Sequence, residues 1–187
     1  MKMRGSKSKR SKFLSLIEKN PRVIRDMGEG AKILYLGAGA GTTLRFMLEL
    51  IPHSHVYAVE IAPKPMRRLL SLFKGNERVI PILEDANHPE RYSGIVEKVD
   101  MIYQDVAQPN QADIAIKNAR YFLDRGLLIM MCKLKSIDFS APHSKIVNEV
   151  RRELEEEFKI DEVIKLPYHK DHVCFVARRR YDEDSGA

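Results

Sequence analysis

The chain has 187 residues, 44% of them hydrophobic and 31% charged, with a formal net charge of +6. That length suits one globular domain rather than two, and that composition excludes a wholly disordered chain. The positive excess gathers in the first dozen residues and at Arg178, Arg179 and Arg180, a balance compatible with a nucleic-acid partner without demonstrating one.

The opening MKMRGSKSKRSK is basic and serine-rich, and on composition alone it reads as a loose tail that turns apolar at Phe13. It lacks the apolar stretch of a secretory signal, and no run approaches the ~20 apolar residues of a membrane span. The protein is therefore expected in the cytosol or its equivalent. Four short β-branched runs follow: AKILYLG (31–37), HVYAVE (55–60), RVIPILE (78–84) and VDMIYQDV (99–106), each with the character of a buried strand. Between the first three lie TTLRFMLELI (42–51) and PMRRLLSLFKG (65–75), with helical spacing and a glycine stop at Gly75.

The alternation continues through a helix in QADIAIKNARYFLDRG (111–126), the strand LLIMMCKL (127–134) and the helix SKIVNEVRRELEEEF (144–158). On that last helix Ile146, Val147, Val150, Leu154 and Phe158 share a face, and the acidic run 153–157 is most simply solvated. Two strand-like runs close the chain, KIDEVIKLPY (159–168) and HVCFVARRR (172–180), joined at 169–171 in a way that suits an antiparallel pair. Cys132 and Cys174 sit inside apolar runs, where free cysteine acts as a small core residue, so neither a disulfide nor a metal is expected. Strands alternating with helices imply an α/β fold with a mostly parallel sheet covered on both faces.

The turn GAGAGTT (37–43) joins the first strand to a helix. Glycine there lets a ligand approach backbone N–H groups at a helix N-terminus, and equally it serves a sharp turn for steric reasons alone. Glu60 ends the second strand at about the ~20-residue spacing from which an acid reaches nucleoside ribose hydroxyls. Asp85, in LEDAN after the third strand, is placed to meet an adenine amino group, although it and Glu84 also suit a solvated loop. A dinucleotide fingerprint requires a third glycine where Thr42 stands. That departure, with the antiparallel final pair, points away from NAD and toward S-adenosylmethionine (SAM).

Taken together, GAGAGTT, YAVE, PILEDANHPERY, IYQDVAQPNQADIAIKNARYFL, KLKSID and KDH resemble fibrillarin of the archaeal type, from about residue 10 to about residue 180. The resemblance implies a Rossmann-like class I SAM-dependent methyltransferase fold, with a seven-stranded sheet whose last strand is antiparallel. It implies an RNA ribose 2′-O-methyltransferase acting on rRNA or tRNA and directed by box C/D guide RNA. It places the catalytic groups at Lys12 (in RSKF), Asp105 (in DVAQP), Lys133 (in CKLKSID) and His172 (in KDHV). Cofactor contacts are implied at Gly37, Ala38, Gly39, Gly41, Thr42, Thr43, Glu60, Ile61, Asp85, Ala86, Asp105 and Gln108. Implied partners are the guide RNA and its target, a Nop-type coiled-coil scaffold protein and a kink-turn-binding protein, with no membrane; an archaeal-type chain would be cytoplasmic and a eukaryotic one nucleolar.

The small N-terminal domain usual before the Arg-Ser-Lys stretch is expected to be mostly lacking, and Asn87 stands where arginine is common. The chain then divides into a basic flexible tail (1–9), a methyltransferase domain (10–180) and a flexible C-terminal tail (181–187). With no aromatic platform or zinc knuckle evident, sequence specificity is expected to come from guide pairing. A stand-alone SAM methyltransferase and a non-catalytic assembly subunit remain the alternatives, with a nicotinamide dehydrogenase behind both.

Overall fold

The computed structural model describes residues 11–180; the two expected tails and Arg10 lie outside the described residues. Helix α1 (Lys12–Lys19) is capped by Ser11, and α2 (Arg22–Met27) follows at once. Then come β1 (Lys32–Leu36), α3 (Thr42–Leu50), β2 (His55–Val59), α4 (Pro63–Leu72) and β3 (Val79–Ile82). After a 3-10 turn at Pro89–Arg91, the chain forms β4 (Met101–Gln104), α5 (Gln111–Phe122), β5 (Leu127–Lys133) and the single turn α6 (Leu134–Ile137). It ends in α7 (His143–Leu154), β6 (Phe158–Lys165) and β7 (His172–Arg179).

The strands form one sheet in the order β3-β2-β1-β4-β5-β7-β6. β7 is antiparallel to both neighbours and every other pairing is parallel, as the sequence pattern implies. β1, β4 and β5 are almost wholly buried on both faces, which is why they read as continuous apolar runs rather than alternating ones. Side-chain alternation sends Tyr103, Met131 and Cys174 to one core layer and Ile102, Cys132 and Val173 to the other. The two cysteines are free and buried on opposite faces, and burial pushes the Cys132 thiol up to about 12.

Helix α1 belongs to the first layer. Phe13, Leu14, Leu16 and Ile17 are buried there, and Phe13 meets Tyr103 edge-on with ring centroids 5.8 Å apart. Burying each such side chain contributes about 1.5–3 kcal/mol, ample to fix a helix of two turns that would not persist alone in water.

Two details differ from the sequence pattern. The acidic run 153–157 is not one solvated helix face: α7 stops at Leu154, and Glu157 pairs with Arg120 (2.8 Å) and Arg179 (3.7 Å), closing the end of α7 against α5 and β7. β6 ends at Lys165 rather than running to Tyr168, since Pro167 has no N–H to continue the ladder.

Candidate active site

In an open α/β sheet the ligand crevice lies where strand order reverses, beyond the C-terminal strand ends. Here that place is between β1 and β4, and Gly37 and Asp105 occupy it. Gly37 has φ +80°, and a Cβ there would stand 2.5 Å from the Asp105 carbonyl oxygen, so no other residue fits. The turn is tied down by Val59, whose carbonyl accepts from Gly37 N and Ala38 N, and by Leu36, whose carbonyl accepts from Asp105 N.

A cleft of about 380 Å³ opens on this edge, lined by Gly37, Gly39, Glu60, Ile61, Asp85 and Ala86, with Asp105 and Gln108 opposite. Glu60 is only 8% exposed, and its oxygens accept from Gly39 N and Ala62 N, each at 2.8 Å. The carboxylate is thus oriented by backbone, with lone pairs to spare for vicinal hydroxyls. A Cβ on Gly39 would meet nothing within 4 Å, so the backbone is open to a ligand there. Exposed Ile61 supplies an apolar wall. Asp85 Oδ1 accepts from Asn87 N and Nδ2, both at 2.9 Å, and those bonds with the charges of His88 and Arg91 leave its carboxyl below the usual range despite partial desolvation.

Of the expected cofactor residues, Ala38, Gly41, Thr42 and Thr43 do not line this cleft. A Cβ on Gly41 would lie 2.6 Å from the Phe73 ring, so the turn packs closely there. Thr43 Oγ1 lies 3.3 Å from Ser11 Oγ, joining α3 to the start of α1.

Beside the cleft the four expected catalytic residues converge. Lys12 Nζ donates to both Asp105 oxygens, at 2.6 and 2.9 Å, across 93 residues of sequence. Asp105 continues the face of Tyr103, while Lys133, the last residue of β5, and His172, the first of β7, are directly paired in register and continue the face of Met131 and Cys174. All three therefore project toward the layer that α1 covers. Burial pushes the Asp105 carboxyl up, opposed by the charges of Lys12, His169 and Lys133. His172 is held down at about 4 by desolvation first, then by Lys12, His169 and Lys133, so its ring is neutral near pH 7. Lys133 Nζ forms no ion pair among the described residues, which leaves a cation available at the strand end.

Several contributors carry no signal in the sequence. His169 faces Asp105 electrostatically and meets the His172 ring at 6.0 Å. Buried Gln111 accepts from Lys133 N (2.9 Å) and donates to Lys133 O (3.1 Å), while its own carbonyl accepts from Gln104 Nε2 (2.7 Å). This relay clamps the ends of β4 and β5 and so positions Lys133. Asn87, which stands where arginine is common, bridges Asp85 to Gln108 (2.8 Å) and accepts from Asn110 (2.7 Å), organising one wall of the cleft. Phe139 is 82% exposed beside Lys135, an aromatic surface the sequence pattern did not reveal.

A doubly covered sheet with an antiparallel β7, a glycine turn without the third dinucleotide glycine, and acids ending β2 and β3 define the class of Rossmann-like SAM-dependent methyltransferases. A family model described as Fibrillarin matches residues 2–181. The chain belongs to the fibrillarin family. It is 42% identical over 172 residues to a fibrillarin-like rRNA/tRNA 2′-O-methyltransferase of Archaeoglobus fulgidus, covering 91% of this chain and 81% of that one. Against the protein of the same description from Methanocaldococcus jannaschii it is 48% identical over 170 residues, covering 89% and 74%. Among solved structures, a fibrillarin/Nop5p complex superposes with a TM-score of 0.87 at 41% identity, over 92% of this chain and 83% of that chain. Aeropyrum pernix fibrillarin with natively bound S-adenosyl-L-methionine gives 0.81 at 39% identity, over 91% and 76%.

Proposed function

We propose that this protein transfers a methyl group from S-adenosylmethionine to ribose 2′-hydroxyls of rRNA or tRNA, at sites chosen by a box C/D guide RNA. The observation that carries the reading is the Lys12–Asp105 pair, with Lys133 and His172 on the same face, beside a cleft whose buried Glu60 is preset for a nucleoside. Glu60 suits the ribose of the cofactor, Asp85 the adenine amino group, Ile61 one face of the base, and the open backbone at Gly39 the cofactor's approach to the turn.

The bound cofactor supplies a methyl group already activated on a positively charged sulfur. The chain's residues have to align the 2′-oxygen and favour its negative charge as its proton leaves. Lys133 orients and polarises the 2′-hydroxyl. Asp105 accepts the proton as the new oxygen–carbon bond forms and the sulfur–carbon bond breaks; its raised affinity for protons suits that role. Lys12, bonded to both carboxylate oxygens, holds Asp105 in place, and neutral His172 faces the adjoining phosphate with Lys12.

A Nop-type scaffold protein is the expected partner, in keeping with the fibrillarin/Nop5p complex. A kink-turn-binding protein would complete the particle, and the chain would work in the cytoplasm of an archaeal cell or the nucleolus of a eukaryotic one. Among the described residues no helix is long and apolar enough to cross a membrane.

The test is methyl transfer to target RNA by the assembled particle. Lys133→Ala and Asp105→Ala should each lower the rate at least about 100-fold, the usual scale for losing a positioned acid, base or oxyanion donor. SAM binding should survive Lys133→Ala; turnover like wild type in both variants rejects the reading. Equal activity of the isolated chain would make it a stand-alone enzyme, and scaffold binding without transfer an assembly subunit.

A further inference from the structure

A second cavity, of about 490 Å³, lies among the ends of β5, β6 and β7 and the first half of α7. It falls within the size range of small-ligand sites, ~300–1,000 Å³. Its floor is apolar, from Leu134, Val147 and Leu166; its walls carry His143, Lys165, Lys170 and His172. No carboxylate lines it. Asp171, between Lys170 and His172 in sequence, is already engaged by Lys135 at 3.1 Å and approached by His143 at 3.8 Å. Lys165 and Lys170 have no ion-pair partner among the described residues. The Nε2 atom of His172 is buried with no hydrogen-bond partner there, although this ring belongs to both the cavity and the catalytic cluster.

We propose that this cavity is a substrate subsite that takes a nucleotide of the RNA strand next to the one being methylated. Its phosphodiester lies between Lys165 and Lys170, and its sugar or base rests on Leu134 and Val147. Three observations converge on that class of ligand: an uncompensated pair of cations, an apolar floor, and continuity with the catalytic face through His172. A strand entering here passes His172 before Lys133, which sets the target ribose against Lys133 by holding its neighbour. The inference rests on the methyltransferase reading for the identity of the strand.

Two measurements on the assembled particle test it. A photoreactive benzophenone amino acid introduced at Asn148, on the cavity wall, should crosslink to the RNA substrate strand. Crosslinking to the scaffold protein, or to nothing, overturns the proposal. The double charge reversal Lys165→Glu with Lys170→Glu changes exposed side chains. It should raise the KM for RNA at least tenfold and reduce the salt dependence of RNA binding by about two phosphate contacts, while SAM affinity stays within about twofold. An unchanged KM for RNA overturns it as well. The crosslink needs no turnover: a particle that crosslinks but transfers no methyl group refutes the methyltransferase reading and leaves the subsite standing.

Discussion

Lys12 sits in the first turn of α1, where the helix dipole disfavours a cation by about 0.3–1 kcal/mol. Asp105 more than offsets this through two charge-assisted hydrogen bonds, and the side chains remain 22% and 19% exposed, reachable from the cleft. Glu60 is held differently, by two backbone donors, with no ion pair among the described residues. Glu60→Gln would turn an amide NH2 toward either Gly39 N or Ala62 N, donor against donor. It should weaken SAM binding about 10–100-fold by calorimetry, the value of ~1.5–3 kcal/mol for a hydrogen bond to a charged group. For His172, NMR titration should give a midpoint near 4, well under the ordinary histidine value. Because the folded ring binds its proton less readily than the unfolded one, stability should rise with pH between about 4 and about 6.5, measured by urea unfolding. His172→Gln, which cannot titrate, should flatten that rise.

At the scale of elements, the site depends on how strand ends are held. Gln111→Ala would free both backbone groups of Lys133 and leave a hole between β4 and β5. The variant should fold with a lowered Tm, and methyl transfer should fall further than SAM affinity, because the tie acts on Lys133 and not on the cleft. Gly41→Ala should behave the opposite way in kind, losing about 1–3 kcal/mol of stability from its positive φ and the clash with Phe73 while the cleft keeps its residues. Strands β1 to β5 were legible, since they are short apolar runs punctuated by glycine and proline. What was not legible came from contacts distant in sequence. Nothing local marks Gln111 as a clamp, Asn87 as a bridge, or His169 as a neighbour of Asp105. The end of β6 was missed because the apolar pattern runs on through Leu166 while Pro167 breaks the ladder. Lys12 was legible only through family resemblance; composition alone left it in the basic tail.

For the whole molecule, ligand linkage gives the simplest measure of the cleft. SAM at 100 times its Kd should stabilise by about 2.7 kcal/mol, raising Tm by roughly 5–10 °C for a chain this long, and NAD at the same concentration should leave Tm unmoved. A rise with NAD instead would return the glycine turn to the dinucleotide class.

The seat of Lys12 has a further consequence, for the protein as it is being made. Helix α1 leaves the ribosome before the strands of this sheet, yet Asn20 just after it bonds to Glu162 on β6 at 2.7 Å, and Asp26 on α2 pairs with Arg178 on β7 at 3.0 Å. Its buried face shares a layer with Ile164 and Cys174 from those same strands and with Leu166 just after β6. Among the described strands β6 in turn joins the sheet only through β7, the last of them to emerge. A nascent chain can close its glycine turn and form its cofactor cleft early, but it lacks the finished surface that holds Lys12 against Asp105. Competence to bind the methyl donor therefore precedes competence to use it, and the second arrives only with the last strand.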